Sequence, residues 1–146
     1  KDLMACCESK TIHLIQGDAL VLPIKDNAFD VVIATAIIEH VSEPIQLIRE
    51  AFRVLRGNGI FIVTTPHPFW EGIATYIGHL KKEEHHELIT LRKLISLFNT
   101  AGFEIVNAEQ FMISPIGMPF ELTLEKILKF FRLNFLLLNQ IIVGRK

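Results

Sequence analysis

The chain has 146 residues, half of them hydrophobic, with 15 basic against 16 acidic side chains and two cysteines. This is one domain with enough apolar content for a core, which excludes a disordered chain, and its near-balanced charge points to no nucleic-acid partner. Cys6 and Cys7 are adjacent, which suits neither a disulfide framework nor a metal knuckle, so reduced thiols and a cytoplasmic location are expected.

The chain opens on Lys1-Asp2 without initiator Met, signal peptide or transit sequence, and reads as a domain cut at its N-terminus. Residues 1–10 read as the end of a helix. Thr11 to Gln16 is a short β-rich run that Gly17 ends, followed by the acidic turn Asp18-Ala19. Asp30 to Thr35 holds the run Val31-Val32-Ile33-Ala34, the pattern of a strand covered on both faces. Ser42 as N-cap and Pro44 in the first turn open a helix. Its apolar positions Ile45, Ile48, Ala51, Phe52 and Leu55 recur at helical spacing, and Gly57 stops it. Gly59 to Thr65 contains the strand Ile60-Phe61-Ile62-Val63, which Pro66 and Pro68 end.

Residues 66–89 are less regular, with an aromatic patch at Phe69, Trp70 and Tyr76 and a charged run from Lys81 to Glu87. Thr90 then caps an amphipathic helix through Leu91, Leu94, Ile95, Phe98 and Ala101, with Gly102 at its C-terminus. Phe103 to Gln110 reads as a strand, Met112 to Phe120 as a loop, and Leu122 to about Leu137 as a helix. Asn139 to Lys146 closes with the strand Ile141-Ile142-Val143. Alternating strands and helices predict an α/β fold: a mostly parallel sheet, helices on both faces, and an antiparallel pair made by the last two strands. Leu133 to Val143 is the most apolar stretch, but Asn134, Asn139 and Gln140 interrupt it. A bilayer span needs about 20 apolar residues, so no transmembrane segment is expected. From Lys126 onward there are five basic residues and no acid. A core-packing helix with a solvated basic face accounts for this better than a segment lying on anionic lipid.

Four local signatures stand in a fixed order. They are Gly17-Asp18-Ala19 with Leu22-Pro23; Phe29-Asp30 with Glu39-His40-Val41; Val54-Leu55-Arg56-Gly57-Asn58-Gly59 with Thr64-Thr65-Pro66; and Leu94 through Ala101-Gly102-Phe103-Glu104. Together they resemble the carboxyl-terminal part of class I S-adenosylmethionine-dependent methyltransferases, the type 11 group. The resemblance covers essentially the whole chain, as a single methyltransferase-like domain over 1–146 with part of a Rossmann-like sheet. The family's glycine-rich loop has no counterpart here. In the family order 3-2-1-4-5-7-6, the run at 11–16 would be separated from the strand at 30–35 by two other strands. Edges left open in such a sheet invite pairing with a second copy or another chain.

The resemblance also implies roles. The acid matching Asp18 accepts a hydrogen bond from the adenine amino group, since a carboxylate offers only acceptors; a plain turn residue is the structural reading. The backbone at Ala19 matches the contact to the adenine ring edge. Ala34, Thr35 and Ala36 match the strand end passing the methionine moiety, and Ile37 and Ile38 the adenine or substrate side. Glu39 and His40 are the candidates for chemistry. Methyl transfer is an in-line displacement on an electrophilic sulfonium, so the protein positions the nucleophile and removes its proton. A histidine near neutrality suits that base role; a helix-start Glu and a packed His are the structural reading.

Some relatives carry a Glu-x-x-Glu-His metal cluster with a distant His. Here Ala36 replaces the first Glu, and Glu39-His40 with His85-His86 match only part of it, so no metal site is expected. Asp30 is expected to be structural. His67, Phe69 and Trp70 either line an apolar pocket for a small-molecule or lipid-like methyl acceptor or cover the core. The expected activity is methyl transfer from S-adenosylmethionine, with this chain an incomplete and inactive portion. The rival reading is a non-enzymatic methyltransferase-like module that pairs through its sheet edges.

Overall fold

A computed structural model of the chain describes residues 13–70, 89–111, 120–131, 133 and 136–146. Four strands, β1 (Phe29–Thr35), β2 (Leu55–Pro66), β3 (Glu104–Phe111) and β4 (Asn139–Arg145), form one sheet in the order β1-β2-β4-β3. β1 runs parallel to β2, whereas β4 runs antiparallel to both β2 and β3. The predicted antiparallel pair of terminal strands is therefore present, and β4 extends that antiparallel character one strand further inward.

Helices α1 (Pro44–Val54) and α2 (Leu91–Ala101) pack on the same sheet face. Leu47, Ile48 and Ala51 of α1 meet Leu94 and Phe98 of α2 over Phe61, Val63 and Ile142 of the sheet. Phe61 stacks on Phe98 at 5.3 Å, and Phe103 lies 5.5 Å and 5.2 Å from those two rings. Rings in these geometries add to what burial contributes, which is about 1.5–3 kcal/mol per large apolar side chain. Helix α3 (Glu121–Phe130) is tied to β3 by Lys129 Nζ, 2.7 Å from Glu109 Oε2. Glu109 pairs with Ile141, on the sheet face opposite that of Ile142, so the helices serve both faces.

Several boundaries differ from those predicted. His13 to Gln16 join no strand, and Leu14 and Ile15 are exposed; residues 1–12, with the rest of the predicted helix end and strand, lie outside the described residues. An extended run becomes a strand only when another strand takes its N–H and C=O groups. Ser42 is not the cap of α1. Glu43 occupies the N-cap without a side-chain hydrogen bond, and Pro44 is the first helical residue. Proline removes one of the amide groups a cap would serve and presets the helical φ.

Ile45 and Phe52 are half-buried rather than core residues, and Gly57 does not end α1. The helix stops at Val54 because Leu55 is already extended and enters β2 directly. Gly59 is the glycine that matters there: a Cβ would stand 2.9 Å from Arg56 O and 3.2 Å from Asp30 O, where β2 crosses β1. α3 ends at Phe130, not near Leu137. The Leu133 N–H closes back on Leu128 O, and the chain must then reach Asn139, opposite Pro66 and Phe111. Thr90 and Gly102 behave as read: the Thr90 hydroxyl oxygen accepts from Lys93 N–H at 3.3 Å, and Gly102 ends α2 at φ 97°.

β1 departs most from expectation. It forms one edge of the sheet, with Val31 and Ile33 51% and 64% exposed rather than covered on both faces.

Candidate functional site

The carboxyl end of β1, the loop 17–28 and α1 enclose a cavity of about 430 Å³. This lies within the range of small-molecule sites, about 300–1,000 Å³. Ala19 and Leu22 of the loop, Val32 to Thr35 of β1, and Leu47 and Ala51 of α1 contribute to its wall. Among the described residues that line it, Thr35 is the one with a polar side chain.

Asp18 stands in a local turn beside this wall. Its Oδ1 accepts from Leu20 N–H at 2.9 Å, and its carbonyl accepts from Val21 N–H at 3.1 Å. The first bond is an Asx turn, which fixes where the exposed carboxylate sits. Gly17 is required just before it, since a Cβ there would stand 2.8 Å from the Pro23 ring. The structural and ligand-binding readings of Asp18 are thus compatible. One oxygen shapes the turn, and a carboxylate has acceptor capacity beyond that single bond.

At the end of β1 the chain turns sharply. Ala36 takes φ 49°, and its N–H donates to Thr64 O at 2.9 Å. A non-glycine residue held in the left-handed region is strained, and such strain concentrates at functional sites. Ala19 and Thr35 line the cavity directly, while Asp18 and Ala36 adjoin lining residues in the chain.

Glu39 and His40 are separated by orientation. Glu39 is 2% exposed, and its Oε2 accepts from the Thr65 hydroxyl at 2.9 Å. His40 is exposed, its N–H bonded to Ile37 O at 3.0 Å. Neither belongs to the cavity wall. Beneath them, Gln140 is fully buried opposite Thr65 and donates through Nε2 to Pro66 O and Ile89 O.

His67 Nδ1 accepts from Phe69 N–H at 3.2 Å, and burial pushes its pKa below the ordinary histidine value. Phe69 and Trp70 meet edge-to-face at 5.4 Å, away from the cavity wall. Asp30 is structural as expected, its carboxylate taking two bonds from Arg56 Nη1. His85, His86, Tyr76 and the loop 112–119 lie outside the described residues. Among the described residues, no group of three or more His, Cys, Asp or Glu is placed to hold a metal ion, and no helix is long and apolar enough to cross a membrane.

Sequence reasoning missed a second set of polar residues, Gln46, Glu50 and Arg53, which connect α1 to the loop bearing Asp18. Their spacing of four and three was visible as one helical face. The loop they serve lies more than twenty residues upstream, and local spacing does not indicate that partner.

A family model described as a methyltransferase domain matches residues 2–63. A probable S-adenosylmethionine-dependent methyltransferase of Mycolicibacterium smegmatis is 34% identical over 96 residues, covering 64% of this chain and 36% of that protein. The ubiquinone/menaquinone biosynthesis C-methyltransferase of Roseobacter denitrificans is 45% identical over 59 residues, covering 40% of this chain and 24% of its own length. The chain spans about a third of the length of the first curated relatives it matches. Among solved structures, a SAM-dependent methyltransferase from Archaeoglobus fulgidus superposes with TM-score 0.70 at 18% identity, covering 100% of this chain and 72% of that one. That likeness establishes the fold.

Proposed function

We propose, from the match of residues 2–63 to a methyltransferase domain and the likeness to probable S-adenosylmethionine-dependent methyltransferases, that the chain belongs to the class I S-adenosylmethionine-dependent methyltransferases, type 11 group, and takes part in methyl transfer to a small-molecule or lipid-like acceptor. The observation that supports this is the cavity walled by Ala19 and Val32 to Thr35, with the fixed carboxylate of Asp18 beside it. An apolar wall with one acceptor at its edge suits a flat heteroaromatic ring bearing an amino group. The adenine end of the cofactor therefore fits the residues present. The name of the Roseobacter denitrificans relative concerns quinone biosynthesis, which supports an apolar acceptor.

In this reading, Asp18 accepts from the adenine amino group, and Ala19 offers its backbone to the ring edge. Thr35 and Ala36 let the methionine portion approach the turned backbone at the end of β1. When bound, the cofactor supplies a methyl group on a sulfonium centre. His40, on the exposed side of the turn after β1, takes the proton from the acceptor. Glu39, buried and held by the Thr65 hydroxyl, supports the turn that carries His40. Since the family's glycine-rich loop has no counterpart in this sequence, we expect this chain alone to bind weakly and not to turn over.

The test is a nitrogen–proton correlation spectrum with and without S-adenosylhomocysteine. Progressive shifts at Asp18, Ala19 and Thr35 are expected. Asp18→Asn keeps an oxygen for Leu20 N–H but replaces the carboxylate, and should weaken the titration by about tenfold. A dispersed spectrum with no movement at these three amides would overturn the cofactor reading. The rival reading, pairing through a sheet edge, is favoured by one observation, the exposure of Val31 and Ile33 on β1.

A further inference from the structure

Gln46, Glu50 and Arg53 all engage one loop. They follow one another along one face of α1, and each meets the chain between Leu20 and Asp26. Gln46 Nε2 donates to Leu20 O at 3.4 Å. Glu50 Oε2 accepts from Leu22 N–H at 2.9 Å. Arg53 engages all five of its N–H donors. Nε donates to Glu50 Oε1 at 3.0 Å, and Nη2 to Glu50 Oε2 at 2.8 Å and Leu22 O at 3.1 Å. Nη1 donates to Ile24 O at 2.7 Å and Asp26 Oδ1 at 2.6 Å.

The loop makes little structure of its own. Within 18–26, the backbone bonds are Val21 N–H to Asp18 O and Ile24 N–H to Leu22 O. Besides the Asx-turn bond from Leu20 N–H to Asp18 Oδ1, its polar side-chain anchoring comes from α1. Glu50 sits among the buried residues of that helix, where an unpaired carboxylate would be costly. The Arg53 guanidinium holds the Glu50 carboxyl below its ordinary value against the opposing effect of burial. Of the anchored residues, Leu22 is itself on the wall and Leu20 directly follows the wall residue Ala19.

We propose that Gln46, Glu50 and Arg53 are positioning residues that hold the Asp18–Leu22 turn in the shape that accepts the cofactor. This rests on the cofactor reading above. A planar five-donor fork is needed, because the ammonium of lysine has three donors and cannot span two carbonyls and two carboxylates in one plane.

The test compares the wild-type chain with Arg53→Lys, using S-adenosylhomocysteine as the probe and amide hydrogen exchange as a second readout. In the variant, the Val21 and Leu22 amides should exchange faster by about tenfold, and the probe should bind about tenfold more weakly. Phe61 and Ile142, in the core, should keep their exchange rates. Gln46→Met removes one long hydrogen bond and should weaken binding by about threefold without a folding defect. Methylguanidinium should restore part of the binding lost in Arg53→Ala. Faster loop exchange with unchanged affinity would overturn the proposal, as would no change in either readout. Absence of binding in the wild type would instead remove the cofactor reading on which the proposal stands.

Discussion

Gly144 shows how tightly the centre of the sheet is packed. A Cβ at this position would stand 2.7 Å from Phe98 Cδ1 and 3.0 Å from Phe103 Cβ. Both neighbours belong to the buried aromatic cluster, so neither moves cheaply. Gly144→Ala should destabilise the chain by about 1–3 kcal/mol, read as a lower urea midpoint; an unchanged midpoint would show the cluster to be looser than described. Thr65→Val is the polar counterpart. It keeps the volume but removes the donor to the buried Glu39 carboxylate. The expected loss is about 1–3 kcal/mol, again by urea unfolding. Glu39 was legible as a residue of interest from its place after a strand end. Its inward orientation was not, because that depends on the parallel register of β1 with β2, which brings the Thr65 hydroxyl to Glu39 from 26 residues away.

Elements whose ends carry their own chemistry were legible. Thr90 and Gly102 frame α2 by a hydroxyl cap and a left-handed glycine, both local effects. α1 was legible in its apolar stripe and Pro44 but not in its cap. Its polar face acts on a distant loop, and this sets a pH dependence. The Glu50 and Glu109 carboxyls are both held below their ordinary value of 4.5, by hydrogen bonds from Arg53 and from Lys129 respectively. Each binds its proton less readily folded than unfolded, so its contribution is complete above the unfolded value. It is lost as pH falls through the lower folded value. Stability should therefore fall as pH drops below about 4.5, and Glu50→Gln should flatten that acid limb while lowering stability at neutral pH. Thermal unfolding across pH checks this, and an acid limb as steep in Glu50→Gln as in wild type would contradict it.

The sequence announced the order of the described strands and helices from β1 to β4, because β1, β2 and β4 each centre on a run of apolar, mostly β-branched residues. It did not announce which strand would lie at an edge, since neighbours in a parallel sheet are set by topology rather than by local pattern. β1 reads as an interior strand, Val31-Val32-Ile33-Ala34, yet has a ladder partner on one side only among the described residues. Val31 and Ile33 on this strand are exposed. An edge of this kind, without an inward charge or proline in its middle, is a template for another strand. The chain should therefore associate as its concentration rises, measured by light scattering or sedimentation. Val31→Lys places a charge on an exposed position of β1 that is neither in the buried cluster nor in the cavity wall, and should shift the chain toward monomer while leaving its folded spectrum intact. Monomer at every concentration, together with cofactor-induced shifts at Asp18 and Ala19, would remove the pairing reading and leave methyl transfer. Association that Val31→Lys abolishes, in a chain whose Asp18 and Ala19 amides ignore S-adenosylhomocysteine, would favour the interaction module instead.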